Sequence, residues 1–209
     1  MKLRGLTLIA ALFAMLAPAV AQETKTSPVT TQKNVELTLY MLIGLPQASQ
    51  PDNVPKELEG VITQLKGLFT YKGFRTFDTI ILRGREGSNS RVNGAAALPG
   101  GPTDSAQLSD YTANVERLRV TQDEKGNLVR IDYLNVSVRI PYRSLAAQMV
   151  SDGRGGTVER QPAGHWTSRN ISFNTNIDVR EGQKVVVGKA NIDGAGNALI
   201  LVVTAKVID

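Results

Sequence analysis

Alternating apolar and polar residues mark the first predicted strand of the chain. Every odd position from Val35 to Leu45 is apolar, whereas Glu36, Thr38 and Tyr40 hold even positions. A period of two residues is typical of a strand that buries one face. Leu42 places an apolar residue on the second face, so we expect the strand to be buried more deeply as it proceeds.

A helical pattern follows after a polar loop. Pro55 suits the first position of a helix, because its missing N–H would have no partner there. The apolar residues beyond it recur at the spacing of one helical face: Leu58, Val61, Ile62, Leu65, Leu68 and Phe69. The spacing predicts an amphipathic helix over Pro55–Phe69 that packs on the sheet containing the first strand.

Two further strands complete the first half of the chain. Strand character returns from Phe74 to Arg83, and Arg91 to Leu98 is predicted to pair back on it as a hairpin. Residues 35–98 are therefore predicted to form a β-α-β-β unit. Proline and glycine are concentrated directly after this unit, so we interpret residues 99–110 as a linker or loop.

Residues 111–209 are predicted to form an antiparallel β region. The apolar phase shifts near Tyr133, which predicts a β-bulge there. Gly182 lies in a tight reversal and is expected to have a positive φ. The last three strands are expected to form a meander with its final strand central. The fold class is thus α+β and β-rich, and the five strands of this region are predicted at Tyr111–Val120, Leu128–Ile140, Ile171–Val179, Lys184–Ile192 and Ala198–Val207.

The beginning of the chain has the composition of an export signal. Lys2 and Arg4 precede a short apolar run, and Ala19-x-Ala21 matches the small-residue site of signal peptidase. We predict a signal peptide over residues 1–21 and a flexible leader over residues 22–34. The run is shorter than the roughly 20 residues of a spanning helix, so no stable membrane span is expected after cleavage. An uncleaved anchor is the alternative, and the predicted location is periplasmic or secreted, in a bacterium.

Composition and charge exclude several classes of protein. The chain has no cysteine and a single histidine, His165. Disulfides, thiolate metal sites, cysteine nucleophiles and sites with two imidazoles are therefore excluded. The formal net charge of +5 becomes +3 when Lys2 and Arg4 are removed with the signal peptide. So small an excess is not a nucleic-acid footprint, and no nucleic-acid partner is expected.

Three residues stand out as weak candidates for binding. Arg83 and Arg85, with Arg91 nearby, are the part of the sequence that most resembles a basic cluster. Arginines at the solvated end of a strand would give the same pattern without any binding role. Trp166 is either an aromatic binding anchor or a residue packed at the start of a strand.

No catalytic, cofactor or metal site is predicted. Gly182–Lys189 has five residues between its glycines, whereas a phosphate-binding loop has four. Asn191–Asn197 lacks the distant glutamate of a calcium-binding loop and has the composition of a turn.

One stretch resembles a known family. Residues 175–188, TNIDVREGQKVVVG, consist of a strand, an acidic-Gly-Gln turn and a valine-rich strand that ends in glycine. This pattern is similar to the conserved hairpin of bacterial secretins, the outer-membrane pores of type II secretion and type IV pili. The β-α-β-β half also resembles the small periplasmic modules that precede a secretin pore. The proline- and glycine-rich segment that follows the hairpin in secretins is missing, so the resemblance implies an associated module and not a complete pore. The whole chain also resembles small exported bacterial proteins, which imply no activity.

Two functions are compatible with these patterns. The first is a non-catalytic exported envelope protein that binds an envelope protein partner, or associates with itself through sheet edges, in a secretin-type secretion or pilus system. The absence of a nucleophile or metal motif favours it. The alternative is a periplasmic hydrolase that uses paired carboxylates, drawn from Asp78, Glu86, Asp132 and Asp178. Carboxylates with raised pKa values in a deep pocket would favour the hydrolase, and a flat exposed strand edge would favour binding.

Overall fold

The alternating strands form two antiparallel sheets that share one apolar core, and a short helix lies on the outside of one sheet. The structure is a computed structural model that describes residues 32–47, 53–98, 108–144, 148–151, 157–160, 165–193 and 196–208. The elements in chain order are β1 (Asn34–Leu45), a 3₁₀ turn (Lys56–Leu58), α1 (Glu59–Leu68), β2 (Gly73–Arg85), β3 (Asn89–Ala96), β4 (Ser109–Asp123), β5 (Gly126–Ser144), β6 (Gln148–Ser151), β7 (Thr157–Arg160), β8 (His165–Arg180), β9 (Lys184–Asn191) and β10 (Ala198–Ile208).

The first sheet has the strand order β2-β1-β10-β9. Its central strands, β1 and β10, are paired from Asn34 with Ile208 to Gly44 with Ala198. Both strands are apolar on both faces over much of their length, as expected of strands that are covered on both sides. The central position predicted for the last strand is confirmed.

The second sheet has the order β3-β4-β5-β8, and its inner face packs on the inner face of the first sheet. Alternate residues of each strand fill the space between the sheets, which is the arrangement of a β-sandwich. The buried residues of this core include Leu37, Leu39 and Met41 of β1, Leu199, Leu201 and Val203 of β10, and Val129, Ile131, Leu134, Val136 and Val138 of β5.

Helix α1 covers the outer face of the first sheet, as its apolar stripe predicts. Leu65 is 1% exposed, whereas Leu68, at the end of the helix, is 76% exposed. The hydroxyl of Tyr40 donates to Glu57 at the edge of this contact, and burial together with that carboxylate raises the pKa of the tyrosine. The apolar layer between the sheet and the helical segment is formed by residues of both: Tyr40, Leu42, Leu58, Val61, Ile62, Leu65, Tyr71, Phe74, Ala198, Ile200 and Val202.

Two strand pairings differ from those expected from the sequence. β3 pairs with β4 and not with β2, and β8 pairs with β5 and not with β9. In both places the chain crosses from one sheet to the other, so the predicted hairpin over Arg91–Leu98 and the continuous three-stranded meander are wrong. Alternation identifies the buried face of a strand but not its partner. The α+β, β-rich class is confirmed, as is the bulge near Tyr133, where the β5–β8 register shifts between Ile131 and Leu134.

Several predicted segments lie partly outside the described residues. The predicted signal peptide and most of the leader fall there, although Asn34, the last residue of the predicted leader, begins β1. Most of the predicted linker also lies outside, but Ser109 and Asp110 belong to β4. Between β5 and β8, the strands β6 and β7 form a separate two-stranded ribbon.

The eight strands of the two sheets fall into two topologically equivalent halves. Each half, β1-β2-β3-β4 and β5-β8-β9-β10, places its first two strands in one sheet and its last two in the other. The equivalent strands are β1 and β5, β2 and β8, β3 and β9, and β4 and β10. Replacing each strand by its equivalent converts the order β2-β1-β10-β9 into β8-β5-β4-β3, which is the order of the second sheet read from its other end. The element inserted after the first strand differs: it is α1 in one half and the β6–β7 ribbon in the other. The sandwich is therefore an internal repeat of one four-stranded plan.

The chain crosses between the two sheets at two corners, and both have the sequence Arg-Glu-Gly. At Arg85–Gly87, the glycine has a φ of +76°, which glycine adopts without a steric penalty. The Glu86 carboxylate accepts backbone N–H groups from Lys33 at 3.0 Å and from Val120 at 2.6 Å. This carboxylate therefore ties the corner to β4 and to the residue that precedes β1.

The second corner, Arg180–Gly182, repeats the first. Its glycine has a φ of +75°, so the positive φ predicted for Gly182 is confirmed. The Glu181 carboxylate accepts the side-chain amide of Asn127 at 2.8 Å and the N–H of Val207 at 2.9 Å. These donors hold its pKa below the ordinary glutamate value, the Asn127 amide having the largest effect.

Candidate binding surface on the second sheet

The outer face of the second sheet carries rows of neutral polar side chains. Asn114, Asn135 and Asn174 are neighbours across β4, β5 and β8. The amide of Asn114 donates to Asn135 at 3.5 Å, and Asn135 donates in turn to Asn174. In the next row, the hydroxyls of Ser137 and Ser172 are 3.0 Å apart. These rows make a flat polar surface in place of the apolar layer found on the first sheet.

The bulge in β5 places two consecutive side chains on this outer face. Ile131 and Leu134 are both buried in the core, so Asp132 and Tyr133 between them both point outward. Tyr133 is 37% exposed, and its hydroxyl donates to Asn174 at 3.4 Å. An aromatic ring is thereby presented beside the asparagine row.

The backbone of β4 is unusual next to the bulge. Arg117 has a φ of 53° and is the non-glycine residue with a positive φ in the described part of the chain. Val115 and Leu118 are both buried, so Glu116 and Arg117 occupy a local irregularity between two inward residues. Backbone conformations of this kind cost free energy and cluster at functional sites.

A cleft of about 370 Å³ lies at the bulge. Within it, Arg119 is paired with Asp132, and Arg130 contacts Asp178 through two bonds of 2.8 Å each. Asn176 adds an amide to the same cleft. The hydrogen bonds from Arg130 hold the pKa of the Asp178 carboxyl below its usual range.

The four carboxylates considered for a hydrolase are divided between different places. Asp132 and Asp178 share the cleft, although Asp178 is held in its ionised form by an arginine. A general acid needs the opposite shift, toward a raised pKa. Asp78 accepts a hydrogen bond from Tyr111, and burial together with this contact raises the pKa of Tyr111 to about 12. Glu86 is bonded to backbone N–H groups at the first corner.

The sequence-predicted binding candidates lie on different strands of the sandwich. Arg83 and Arg85 are on β2, an edge strand of the first sheet, and Trp166 is on β8, an edge strand of the second. The Arg83 guanidinium donates to Glu36 at 2.7 Å, so it is part of an exposed ion pair. The backbone of Trp166 pairs with Arg143, and its side chain lies outside the described part. The strand order therefore does not bring the three residues together on one edge.

Sequence reasoning missed the residues that do come together. Tyr133 was the centre of a predicted bulge, but its outward position follows only from the pairing with β8. The polar members of β4, β5 and β8 were visible as the solvent half of each alternation. Their alignment into rows depends on register, which periodicity within one strand does not give.

The edges of the two sheets differ in how far they are protected. β9 has Lys184 and Lys189, and its pairing with β10 contains a register shift. The pairing of β2 also contains a shift, and β3 is only eight residues long. β8 has 16 residues, no lysine or proline, and the extra residue of its pairing lies on β5. Lysines, bulges and short length are the usual protection of edge strands, so β8 is the edge best suited to receive another strand.

Neither a metal-binding cluster nor a membrane-spanning helix is present in the described part of the chain. No group of three or more acidic, histidine or cysteine side chains there is arranged to hold a metal ion. No helix in the same part of the chain has the length and apolar character needed to cross a membrane.

Comparisons with known proteins give a weak structural resemblance to bacterial secretins. The chain aligns over 85% of its length with the type III injectisome secretin InvG of Salmonella, at 12% identity and a TM-score of 0.36, covering 65% of that chain. It aligns similarly with the type II secretin GspD of enteropathogenic Escherichia coli, at 8% identity, a TM-score of 0.36 and 70% of that chain. For the type IV competence pilus secretin PilQ of V. cholerae the values are 12%, 0.33 and 58%. The chain thus spans less than two thirds of InvG and PilQ.

No family model and no curated protein matches the sequence. TM-scores of this size leave the function to be argued from the residues of the chain itself.

Proposed function

We propose that this chain is a non-catalytic protein of the bacterial envelope that binds a protein partner through the free edge of β8. The observation that carries the proposal is that this edge strand has 16 residues, no lysine or proline, and no inserted residue of its own in the pairing with β5. A partner strand added to such an edge gains main-chain hydrogen bonds along its length. A long unprotected edge is a liability in a protein that stays alone, which favours a partner.

The envelope location and the kind of partner rest on the sequence. The apolar run and the Ala19-x-Ala21 junction support export. The secretin-like stretch over residues 175–188 supports a partner in a secretin-type secretion or pilus system, and it includes the end of β8. Self-association through the same edge is the second form of the proposal, because two copies of one edge strand also pair.

Photocrosslinking in cells tests the proposed edge. A photoreactive residue is placed at Ser172 or Asn174 on β8, and a matched one at Asn93 on the opposite edge strand, β3. We expect discrete adducts from the β8 positions, containing either a secretion or pilus component or a second copy of the chain. Equal adducts from Asn93, or none from β8, would overturn the proposal.

Proline substitutions give an independent measurement. Consecutive residues of a strand direct their N–H groups to opposite sides. Proline lacks a backbone N–H group. One of the variants Asn174→Pro and Thr175→Pro therefore loses an N–H that donates to β5, and the other loses an N–H that points away from β5, toward the free edge. The variant that retains the unfolding midpoint of the wild type should lose the adduct formed through Ser172. Retention of the adduct in that variant would contradict pairing at this edge.

A further inference from the structure

The helical segment covers only part of the outer face of the first sheet. The apolar layer beneath it includes Tyr40 and Leu42 of β1 but none of the earlier outward residues of that strand. Cross-strand pairing aligns those residues with others on β2, β10 and β9. We call the resulting surface the basic shelf, and it consists of Glu36, Thr38, Ile81, Arg83, Arg85, Lys184, Thr204 and Lys206.

The side chains of the basic shelf point away from the sandwich core. Successive residues of a strand alternate between its faces, and residues paired across two antiparallel strands share a face. Leu37, Leu82 and Ala205 lie in the core, so the residues on either side of each point outward. The same alternation places Arg85 on the outer face with Arg83, two residues earlier in β2.

Positive charge is concentrated on the basic shelf. It has four cationic side chains and a single carboxylate, that of Glu36. The excess of three positive charges equals the net charge of the whole chain once the predicted signal peptide is removed. The remaining charges of the chain therefore balance, and the shelf is the surface that attracts an anionic partner.

Most of these cations are available to a partner. The Arg83 guanidinium donates to Glu36 at 2.7 Å, which leaves three cations whose side chains form no hydrogen bond or ion pair within the described part of the chain: Arg85, Lys184 and Lys206. Lys206 is also within electrostatic range of Glu181, whose carboxylate is already bonded at the second corner. The net attraction for an anion therefore comes from side chains that are not already paired.

Exposed apolar side chains lie among and beside the cations. Ile81, in the row of Thr38 and Thr204, is 61% exposed. Val186, which pairs with the outward Val202, is 37% exposed at the opposite edge of the same sheet. Exposed apolar residues that share a face with unpaired charges are typical of an interaction surface. The shelf therefore fits a partner that combines acidic and apolar residues.

The helical segment forms a wall beside the basic shelf. Tyr40, the next outward residue after Thr38 on β1, donates to Glu57 of the 3₁₀ turn. A helix is about 10–12 Å across, so a planar surface that rests on α1 stays away from the floor of the shelf. A single peptide segment is narrow enough to lie on that floor. The geometry thus favours a protein segment over a bilayer.

We propose that the basic shelf binds an acidic, amphipathic segment of a protein partner. The carboxylates of the segment pair with Arg85, Lys184 and Lys206, and its apolar residues contact Ile81. This surface is the outer face of the first sheet, whereas the edge of β8 belongs to the second. The chain therefore has two separate surfaces for protein partners, and they recognise different chemistry.

Nuclear magnetic resonance titration of the full mature chain tests the basic shelf. The probes are an acidic peptide that alternates pairs of glutamate with leucine, the matching peptide with lysine in place of glutamate, and vesicles of phosphatidylglycerol and phosphatidylethanolamine. We expect the acidic peptide to produce saturable shifts in the amides of the shelf, and the lysine peptide to produce none. The affinity should decrease as salt is raised, because exposed charges are screened.

Matched variants identify the contact. Arg85→Gln should weaken binding about two- to fivefold, the range expected of one exposed ion pair. Arg91→Gln removes the same charge from β3, an edge strand of the second sheet, and should leave the affinity unchanged. Combining Arg85→Gln with Lys184→Gln and Lys206→Gln should weaken binding by about tenfold or more and reduce its salt dependence. Ile81→Ala should also weaken binding, because it removes the apolar contact. Amide spectra of each variant establish that it is folded.

Several results would overturn the proposal. They are the absence of shifts with the acidic peptide, shifts centred on other surfaces, equal affinity in Arg85→Gln and Arg91→Gln, and no loss of affinity in Ile81→Ala. Vesicles that shift the amides of the shelf when the peptide does not would assign it to a lipid surface and also contradict a protein segment. Crosslinking at β8 is measured separately, so failure at the shelf is distinguishable from failure of the proposed edge.

Discussion

The outer faces of the two sheets offer a direct comparison within one molecule. On the first sheet, α1 buries an apolar layer that includes Leu42, Ile200 and Val202. On the second, the corresponding surface presents hydrogen-bonded rows such as Asn135 with Asn174. The topology of the two sheets is the same, so the difference does not come from the strand plan.

The inserted element explains the difference. A sheet face covered by a helix gains free energy from apolar residues, whereas a face left to solvent must carry polar ones. The first half inserts α1 after its first strand, and the second half inserts the β6–β7 ribbon there. The two halves therefore share the same strand arrangement, and the inserted element determines whether the outer face of each sheet is buried or exposed to solvent.

The largest effect is expected from a substitution that weakens the packing of α1 on the first sheet. Leu65→Ala should lower the free energy of unfolding by ~2–5 kcal/mol, the usual cost of truncating a buried leucine. Leu68→Ala is the matched control on the same helix, and it should cost less than ~0.5 kcal/mol because the side chain is exposed. Chemical denaturation measures both, and equal losses would mean that the helix contact is not specific.

The two corners should respond alike to loss of their glycines. Gly87→Val and Gly182→Val should each destabilise the protein by ~1–3 kcal/mol, because a β-branched residue resists positive φ. Asn tolerates the left-handed region better, so Gly182→Asn should cost less than Gly182→Val. Thermal unfolding of the three variants and the wild type makes the comparison. A large loss at one corner and none at the other would argue against structural equivalence.

Removing the corner carboxylates should have a smaller effect. Glu86→Gln and Glu181→Gln should each cost ~1 kcal/mol, because each carboxylate accepts two N–H donors. The folded-state pKa of Glu181 lies below its ordinary value of 4.5, so its stabilisation is complete above that pH and declines as the pH falls below it. Denaturation across this acid range should show a shallower decline for Glu181→Gln than for the wild type. Identical pH profiles would contradict the assigned role.

The smallest effect is expected on the outer face of the second sheet. Arg130→Ala breaks the ion pair with Asp178, and exposed pairs of this kind contribute little to stability because solvent screens them. Unfolding in low and high salt should show a small loss that salt reduces further. A loss above that of the corner variants would mean that the cleft is part of the structural core.

Much of the fold could be predicted from patterns within single strands and helices. The buried face of β1, the stripe of α1 and the bulge near Tyr133 each follow from spacing within a single element. The partners of β3 and β8 do not, because a strand that ends in a tight turn either pairs back or crosses to a facing sheet. Arg85–Gly87 and Arg180–Gly182 have the composition of hairpin turns, and it is the bonds of their carboxylates to distant strands that make them corners.

The candidate surface was less accessible to prediction. Asp132 and Asp178 are recognisable in the sequence as acidic residues, but their meeting in one cleft depends on the β5–β8 register. The sequence indicates Arg83 and Arg85 because they are close together along the chain, and Trp166 because of its residue type. Residue type indicates what a side chain is able to bind, whereas convergence on one face is a property of the whole sheet.

The pairing of β1 with β10 has a consequence for the time course of folding. Val35 pairs with Val207, so the central contact of the first sheet closes almost the whole described chain into a loop. Such non-local pairing slows folding, to the millisecond-to-second range of β-sandwiches. Until β10 arrives, one edge of β1 has no partner strand in this sheet, and α1 has only part of its docking surface. Because synthesis starts at the N-terminus, β10 is the last of the described strands to be made, and β1 lacks this partner until then. We therefore expect resistance to proteolysis and aggregation to be gained only when β10 pairs with β1.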